Sequence, residues 1–267
     1  MWRYAHASVI GSSHEKSNSP LQDSHSCEVV MERGGSEVLI AVVSDGAGSA
    51  PRSQEGSTLV CIKFADSVNQ LLQGGFNIDE TLMKKAQAIC RDAVFAKAKN
   101  DEVSISEFAC TLIGAVVCEN QALMVQVGDG AIVYSTEDRP GEYQLFQWPA
   151  KGEYENTTYF LTDPQEKLEK TIKYGHIPYT ISKIALFTDG IERLSLNFKT
   201  QKPFAPFFDA MFRPLEEDDH SEEVSPRLEQ FLNSPNVNSR TDDDKSLILA
   251  VRKSSSLSSN ETRHSVL

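Results

Sequence analysis

Four short apolar runs, each meeting aspartate at one end, most constrain what this chain can fold into. The runs are Val38 to Val43, Leu123 to Val127, Ile184 to Phe187 and Leu247 to Val251, and they have the length and β-branched content of buried strands. Asp45-Gly46, Asp129-Gly130 and Asp189-Gly190 follow the first three, and the cluster Asp242 to Asp244 leads into the fourth. Strands ending in acids can deliver several carboxylates from distant parts of the chain to one place. Clustered carboxylates repel unless cations hold them. Oxygen donors suit hard divalent cations, and two such ions can clamp a phosphoryl group. The economical reading of these residues is a magnesium or manganese phosphohydrolase.

Asp-Gly is also the strongest short hairpin signal and needs no metal. Context separates the pairs. Asp45 is followed by Gly46 to Pro51 and a helical stretch, and Asp189 by Gly-Ile-Glu-Arg-Leu, so neither has a return strand behind it. Asp129-Gly130, between Leu123 to Val127 and Ala131 to Tyr134, has the pattern of a two-stranded hairpin and is at once a turn and a ligand candidate.

Between these motifs, helical spacing of Val60, Phe64, Val68 and Leu71/Leu72 predicts a helix over 54–73, stopped by Gly74-Gly75. A second helix ends near Asn100, with Asn77 and Glu80 as its expected capping box. Phe108 to Val117 and Leu123 to Tyr134 are β in character, while 142–179 has no sustained period and reads as a long irregular insertion. Ser225-Pro226 supplies an N-cap and first-turn proline for a short helix ending around Asn233, and the last strand follows Thr241. A strand, paired helices, a run of strands and a late helix imply an α+β layered domain. It spans 1–252, with the serine-rich 253–267 expected as a disordered tail.

A formal charge of −12 argues against nucleic acid as a partner, since binding the phosphate backbone relies on lysine and arginine. The five cysteines show no Cys-x-x-Cys spacing and read as reduced core residues. With no apolar leader and no stretch of about 18 apolar residues, the expectation is a cytoplasmic protein that does not enter membranes.

Read in order, Gln22-Asp23, Ser44-Asp45-Gly46-Ala47-Gly48, Ala109-Cys110-Thr111-Leu112, Val127-Gly128-Asp129-Gly130, Phe187-Thr188-Asp189-Gly190 and Asp243-Asp244-Lys245-Ser246-Leu247 resemble the motif set of the type 2C metal-dependent serine/threonine protein phosphatases. The Ser13-His14 pair and the Gly152-Glu153-Tyr154-x-Asn156 segment look like the compact bacterial branch. The resemblance implies a four-layer α/β/β/α sandwich, two antiparallel sheets flanked by paired helices, with two Mn2+ or Mg2+ ions in a cleft at one end. Asp45 would bridge the ions and the Gly46 carbonyl would bind one. Asp189 and Asp243 would complete the other, and Asp129 would serve a third, weaker ion. Asp23 would orient the attacking water. Asp244 stands where the family usually has Asn and could exchange roles with Asp243, which is preferred because it keeps the family's spacing to Ser246. Phosphorylated proteins would be the substrates, with a serine/threonine kinase as the opposing activity.

Departures from the family's pattern are equally specific. Gln22 replaces a frequent Glu, Ala47 fills the place of a candidate general acid, and the phosphate-capturing arginine is absent near Asn18. His14, Lys16 and Arg52 are the nearby cations, and His14 is the favoured donor to phosphate, the plain alternative being a surface histidine in a loop. Thr111 reads as a packing position with no base beside it in sequence. The losses motivate a rival expectation, a phosphoprotein-binding module of the same fold with weak or no turnover.

Overall fold

The computed structural model describes residues 1–149, 158–217 and 223–253. In chain order the elements are β1 (Trp2–Val9), α1 (Ser12–Ser17), β2 (Ser24–Met31), β3 (Glu37–Ser44), α2 (Ser53–Gln73), α3 (Glu80–Asn100), a 3-10 turn (Ile105–Phe108), β4 (Leu112–Val117), β5 (Ala122–Val127), β6 (Ala131–Thr136) and β7 (Gln144–Leu145). They continue with α4 (Gln165–Thr171), β8 (Lys173–Ile177), β9 (Ile181–Phe187), a 3-10 turn (Asp189–Ile191), α5 (Glu192–Ser195), β10 (Leu196–Asn197), β11 (Lys202–Pro203), α6 (Ala205–Glu217), α7 (Val224–Leu232), α8 (Pro235–Asn238) and β12 (Lys245–Arg252). Two antiparallel sheets, β1-β12-β9-β6-β7 and β2-β3-β4-β5-β8, form the centre.

Three apolar layers explain why the strand runs are apolar without alternation. Val38, Ile40 and Val42 of β3 pack toward α2 and α3, while Leu39, Ala41 and Val43 face the opposite sheet. In β12, Leu247, Leu249 and Val251 pack under α6 and α7, while Ile248 and Ala250 point between the sheets. A strand covered on both faces has no solvent side on which to place polar residues. The result is the expected α/β/β/α arrangement. No helix among the described residues is long and apolar enough to cross a membrane.

Several local expectations are corrected. Asp129-Gly130 is no hairpin turn: β5 lies in one sheet and β6 in the other, so the turn carries the chain across the sandwich. Gly128 makes that crossing at φ +107, a backbone conformation that L side chains rarely adopt. The N-cap of α3 is Asp79, whose carboxylate accepts from Thr81 N, and not Asn77. Phe108 closes a 3-10 turn, and its strand begins only at Leu112. Ser225 lies inside α7, where its hydroxyl accepts the His6 N–H at 3.1 Å. The supposed irregular insertion contains β7, α4 and β8. The Gly152 to Asn156 segment and the tail from 254 lie outside the described residues.

β1 and β2, unassigned by periodicity, are edge strands whose polar side chains meet at the seam between the sheets. His25 is shielded there beside His6, and burial holds its pKa down to about 4. The unfolded chain therefore binds a proton that the native state refuses as pH falls from about 6.5 toward 4, so this site removes stability on acidification. Over pH 6.5 to 5, wild type should lose about 1–2 kcal/mol more than His25→Gln. Urea titrations of both proteins across that window check this, and parallel curves would refute it.

Candidate metal centre

The acids gather at one end of the sandwich because strand ends from both sheets open there. Asp45 follows β3, Asp129 occupies the crossing between β5 and β6, Asp189 opens the 3-10 turn after β9, Asp243 precedes β12 and Asp23 precedes β2. Ligand oxygens of Asp45, Asp129 and Asp189 lie within 4.8 Å of one another. Asp243 lies outside that trio but lines the same cavity, of about 660 Å³, with Asp45, Gly46, Asp189, Gln22 and His14.

Backbone clamps hold the strand ends in place. Asp45 N–H donates to Thr111 Oγ1 at 2.8 Å, Thr111 N–H donates back to the Asp45 carbonyl at 2.8 Å, and Ser44 Oγ donates to the Thr111 carbonyl at 2.6 Å. Thr111 is thus a clasp on the Asp45 loop, in keeping with its having no base beside it. Glycine after aspartate has a steric cause. A Cβ on Gly190 would stand 2.0 Å from the Asp244 carbonyl oxygen, and one on Gly46 2.8 Å from that of Gln22.

Asp243 and Asp244 have different surroundings. Asp244 is 2 % exposed, and its two oxygens accept the backbone N–H groups of Gly11 and Gln22, each at 2.6 Å. It ties the segments before α1 and β2 to the start of β12. Asp243 stands at the exposed rim, one oxygen accepting its neighbour's N–H at 2.9 Å. Asp23 is buried, with Oδ2 accepting from Thr188 Oγ1 at 2.7 Å and Oδ1 without a hydrogen-bond partner.

The electrostatics of the group follow from crowding. Burial, then the charges of Asp23, Asp189, Asp129 and Asp243, pushes Asp45 well above the usual carboxylate range. Asp189 is pushed up in the same way, by burial and then by Asp129 and Asp243. Burial lifts Asp23 to about 7 against the opposing pull of its Thr188 hydrogen bond. Buried Gln22 Oε1 and Asp23 Oδ1 add unpartnered acceptor oxygens beside these carboxylates. A crowded set of oxygen donors that repel one another suits hard divalent cations.

Of the basic residues, His14 lines the cavity, with Nδ1 2.9 Å from Asp244 Oδ2. Arg52 is not available to the site: it forks onto Glu55 at 2.6 and 2.7 Å, reaches Asp101 at 2.5 Å, and lies over the Phe108 ring. Lys16 is exposed on α1. Sequence reasoning missed Lys167 on α4, which lines the cavity with Nζ 2.9 Å from Asp163 Oδ2. A single lysine in a stretch without a motif carries no signal of its own. Thr158 is also brought in, its hydroxyl donating to Asp129 Oδ2.

Residues 10–233 match the family described as Protein phosphatase 2C. The chain is 36% identical over 255 residues to Serine/threonine-protein phosphatase 3 of Escherichia coli (strain K12), covering 94% of this chain and 98% of that protein. Its fold is similar to the solved structure of serine/threonine phosphatase Stp1 from Staphylococcus aureus, with TM-score 0.60, 14% identity and coverage of 95% and 96% of the two chains. It is also similar to RsbX in complex with magnesium, with TM-score 0.53, 17% identity and 94% of each chain covered.

Proposed function

The chain belongs to the protein phosphatase 2C family, as a serine/threonine protein phosphatase, and from that premise we propose that it hydrolyses phosphoserine and phosphothreonine in proteins with two Mn2+ or Mg2+ ions. The observation that carries the metal dependence is the meeting of ligand oxygens of Asp45, Asp129 and Asp189 within 4.8 Å, where burial and mutual repulsion oppose the charge of Asp45. Magnesium in the similarly folded RsbX is in keeping with this.

Asp45, the Gly46 carbonyl, Asp189 and Asp243 would hold the two ions, and Asp129 would hold a third. When bound, such ions lower the pKa of water and neutralise charge on the phosphoryl oxygens. Asp23 offers its unpartnered Oδ1 to the attacking water and is kept in position by Thr188. His14 and Lys167 are the basic side chains on the cavity wall and would receive the phosphoryl oxygens, His14 as proposed from the sequence and Lys167 as a flexible point charge. Gln22 contributes an uncharged oxygen, so the metal shell carries one negative charge fewer than it would with Glu. Phosphoproteins made by a serine/threonine kinase in the cytoplasm would be the substrates.

Phosphate release from phosphothreonine and phosphoserine peptides, with manganese, with magnesium and with chelator, tests the proposal. Metal-dependent release is expected. A folded chain that binds the phosphopeptides but releases no phosphate under either metal would refute hydrolysis and leave the binding-module reading.

A further inference from the structure

Beside the metal cavity, and sharing the wall residues Ser49, Phe160 and Asp163 with it, lies a second cavity of about 580 Å³. It is bounded by α3, the loop after Gly48, the 3-10 turn of Ile105–Phe108 and the segment leading into α4. Helix α3 buries Leu82, Ala86, Cys90, Val94 and Ala98 in the core, while Arg91 and Phe95, one turn apart, lie off that stripe and line the cavity. Phe95 is 43 % exposed and stands outside the apolar cluster packed under α3. The Arg91 guanidinium lies 4.9 Å from the centre of its ring and donates to the Leu161 carbonyl. Pro51, Ile105 and Pro164 continue the apolar wall. Asp163 is engaged elsewhere, its Oδ2 accepting the Phe160 N–H at 3.0 Å and lying 2.9 Å from Lys167 Nζ, and Glu107 adds a second carboxylate to the wall.

We infer that this cavity takes a large apolar side chain of the phosphoprotein substrate, within a few residues of the phosphorylated one, and that Phe95 sets the preference. The inference rests on the hydrolysis proposed above and names the class of sequence on which it acts. A chain whose phosphorylated side chain sits over Asp45 and Asp189 must leave the metal cavity in two directions, and the shared wall of Ser49, Phe160 and Asp163 places the second cavity along one of them. An extended chain advances about 3.3 Å per residue with side chains alternating, so a flanking side chain within a few positions points into it. The volume falls in the range of about 300–1,000 Å³ typical of ligand clefts. The wall selects the occupant. An apolar side chain gains by leaving water together with the Phe95 ring, an acidic one meets Glu107, Asp163 and a chain of net charge −12, and a basic one meets Arg91.

The test is a series of phosphothreonine peptides hydrolysed by the full chain with manganese. Each differs from an alanine-flanked parent by a single phenylalanine, lysine or glutamate at one nearby position on either side. The kcat/KM of each peptide is divided by that of the parent, so damage to the fold, which slows both alike, leaves the ratio unmoved. In wild type, phenylalanine on one side of the phosphothreonine should raise the ratio roughly 10-fold, mostly through KM. Phe95→Ala removes the ring, and Ser106→Trp fills the cavity from an exposed position on the 3-10 turn. Each should bring the ratio close to unity, and either folded variant decides. No phenylalanine preference in wild type, a preference for lysine or glutamate alone, or a phenylalanine preference that a folded variant keeps overturns the subsite while hydrolysis stands. An absent preference beside self-association that Phe95→Ala abolishes in sedimentation gives the face to a second copy and overturns the subsite likewise. No phosphate release from any peptide overturns the hydrolysis reading and the subsite with it.

Discussion

Asp45→Asn should lower metal-dependent phosphate release by roughly 100- to 1,000-fold or more, while the variant melts at a higher temperature than wild type in chelator. Both effects have one cause. Asp45 sits where burial and four neighbouring carboxylates oppose its charge, and they hold its pKa well above that of the unfolded chain. The sign follows from linkage: a carboxyl raised on folding stabilises the native state at low pH, and that stability is lost as pH rises toward neutrality. Asparagine keeps the shape and removes the charge, so the metal-free fold loses a penalty. It also loses an anionic ligand at the centre of the cluster. Melting should rise by roughly 2–4 °C for each kcal/mol of relieved repulsion in a chain of this size. Manganese should raise the wild-type midpoint by mass action and leave the variant's nearly unmoved. Calorimetry with chelator and with manganese, beside phosphate release, reads both arms. Full activity in the variant would sink the assignment of Asp45 as a ligand.

The neighbouring pair Asp243 and Asp244 should separate activity from stability. Asp244→Ala leaves the backbone N–H groups of Gly11 and Gln22 buried without acceptors, at about 1–3 kcal/mol each, partly offset by relief of charge near Asp23. A net loss of about 2–4 kcal/mol is expected, seen as an earlier urea midpoint with unchanged slope. Asp243→Ala deletes a rim carboxylate that accepts the next residue's N–H, so it should leave the midpoint nearly unmoved and weaken metal-dependent turnover. The reverse pattern, with Asp244→Ala stable and inactive and Asp243→Ala unfolded, would exchange their roles.

Much of the site was legible because an aspartate at a strand end is written locally. Asp45, Asp129 and Asp189 each follow an apolar run, and all three meet in the structure. Spacing favoured Asp243 over Asp244; in the structure Asp244 accepts two backbone N–H groups and Asp243 lines the cavity, and the proposal that Asp243 is the ligand awaits the paired variants above. Lys167 was not legible, since nothing in the residues around it distinguishes a cavity-lining lysine from a solvated one. Arg52 was legible as a cation but not as one committed to Glu55 and Asp101, because the second partner lies 49 residues away.

For the fold, α2 and the apolar strands were readable from their own periodicity, each packing one stripe or two faces against a covered layer. β1 and β2 were not. Their half-buried polar faces carry His6, Ser8 and His25, which make sense only once the edges of the two sheets are set against each other. The Asp129 turn shows the same limit most sharply. An Asp-Gly between two apolar runs states that the chain reverses direction, and hydrogen bonding along β5 and β6 is satisfied equally well by each other or by separate neighbours. Burying both faces of both sheets selects the second, sending the turn across the sandwich and placing Asp129 between the layers, where the other carboxylates wait.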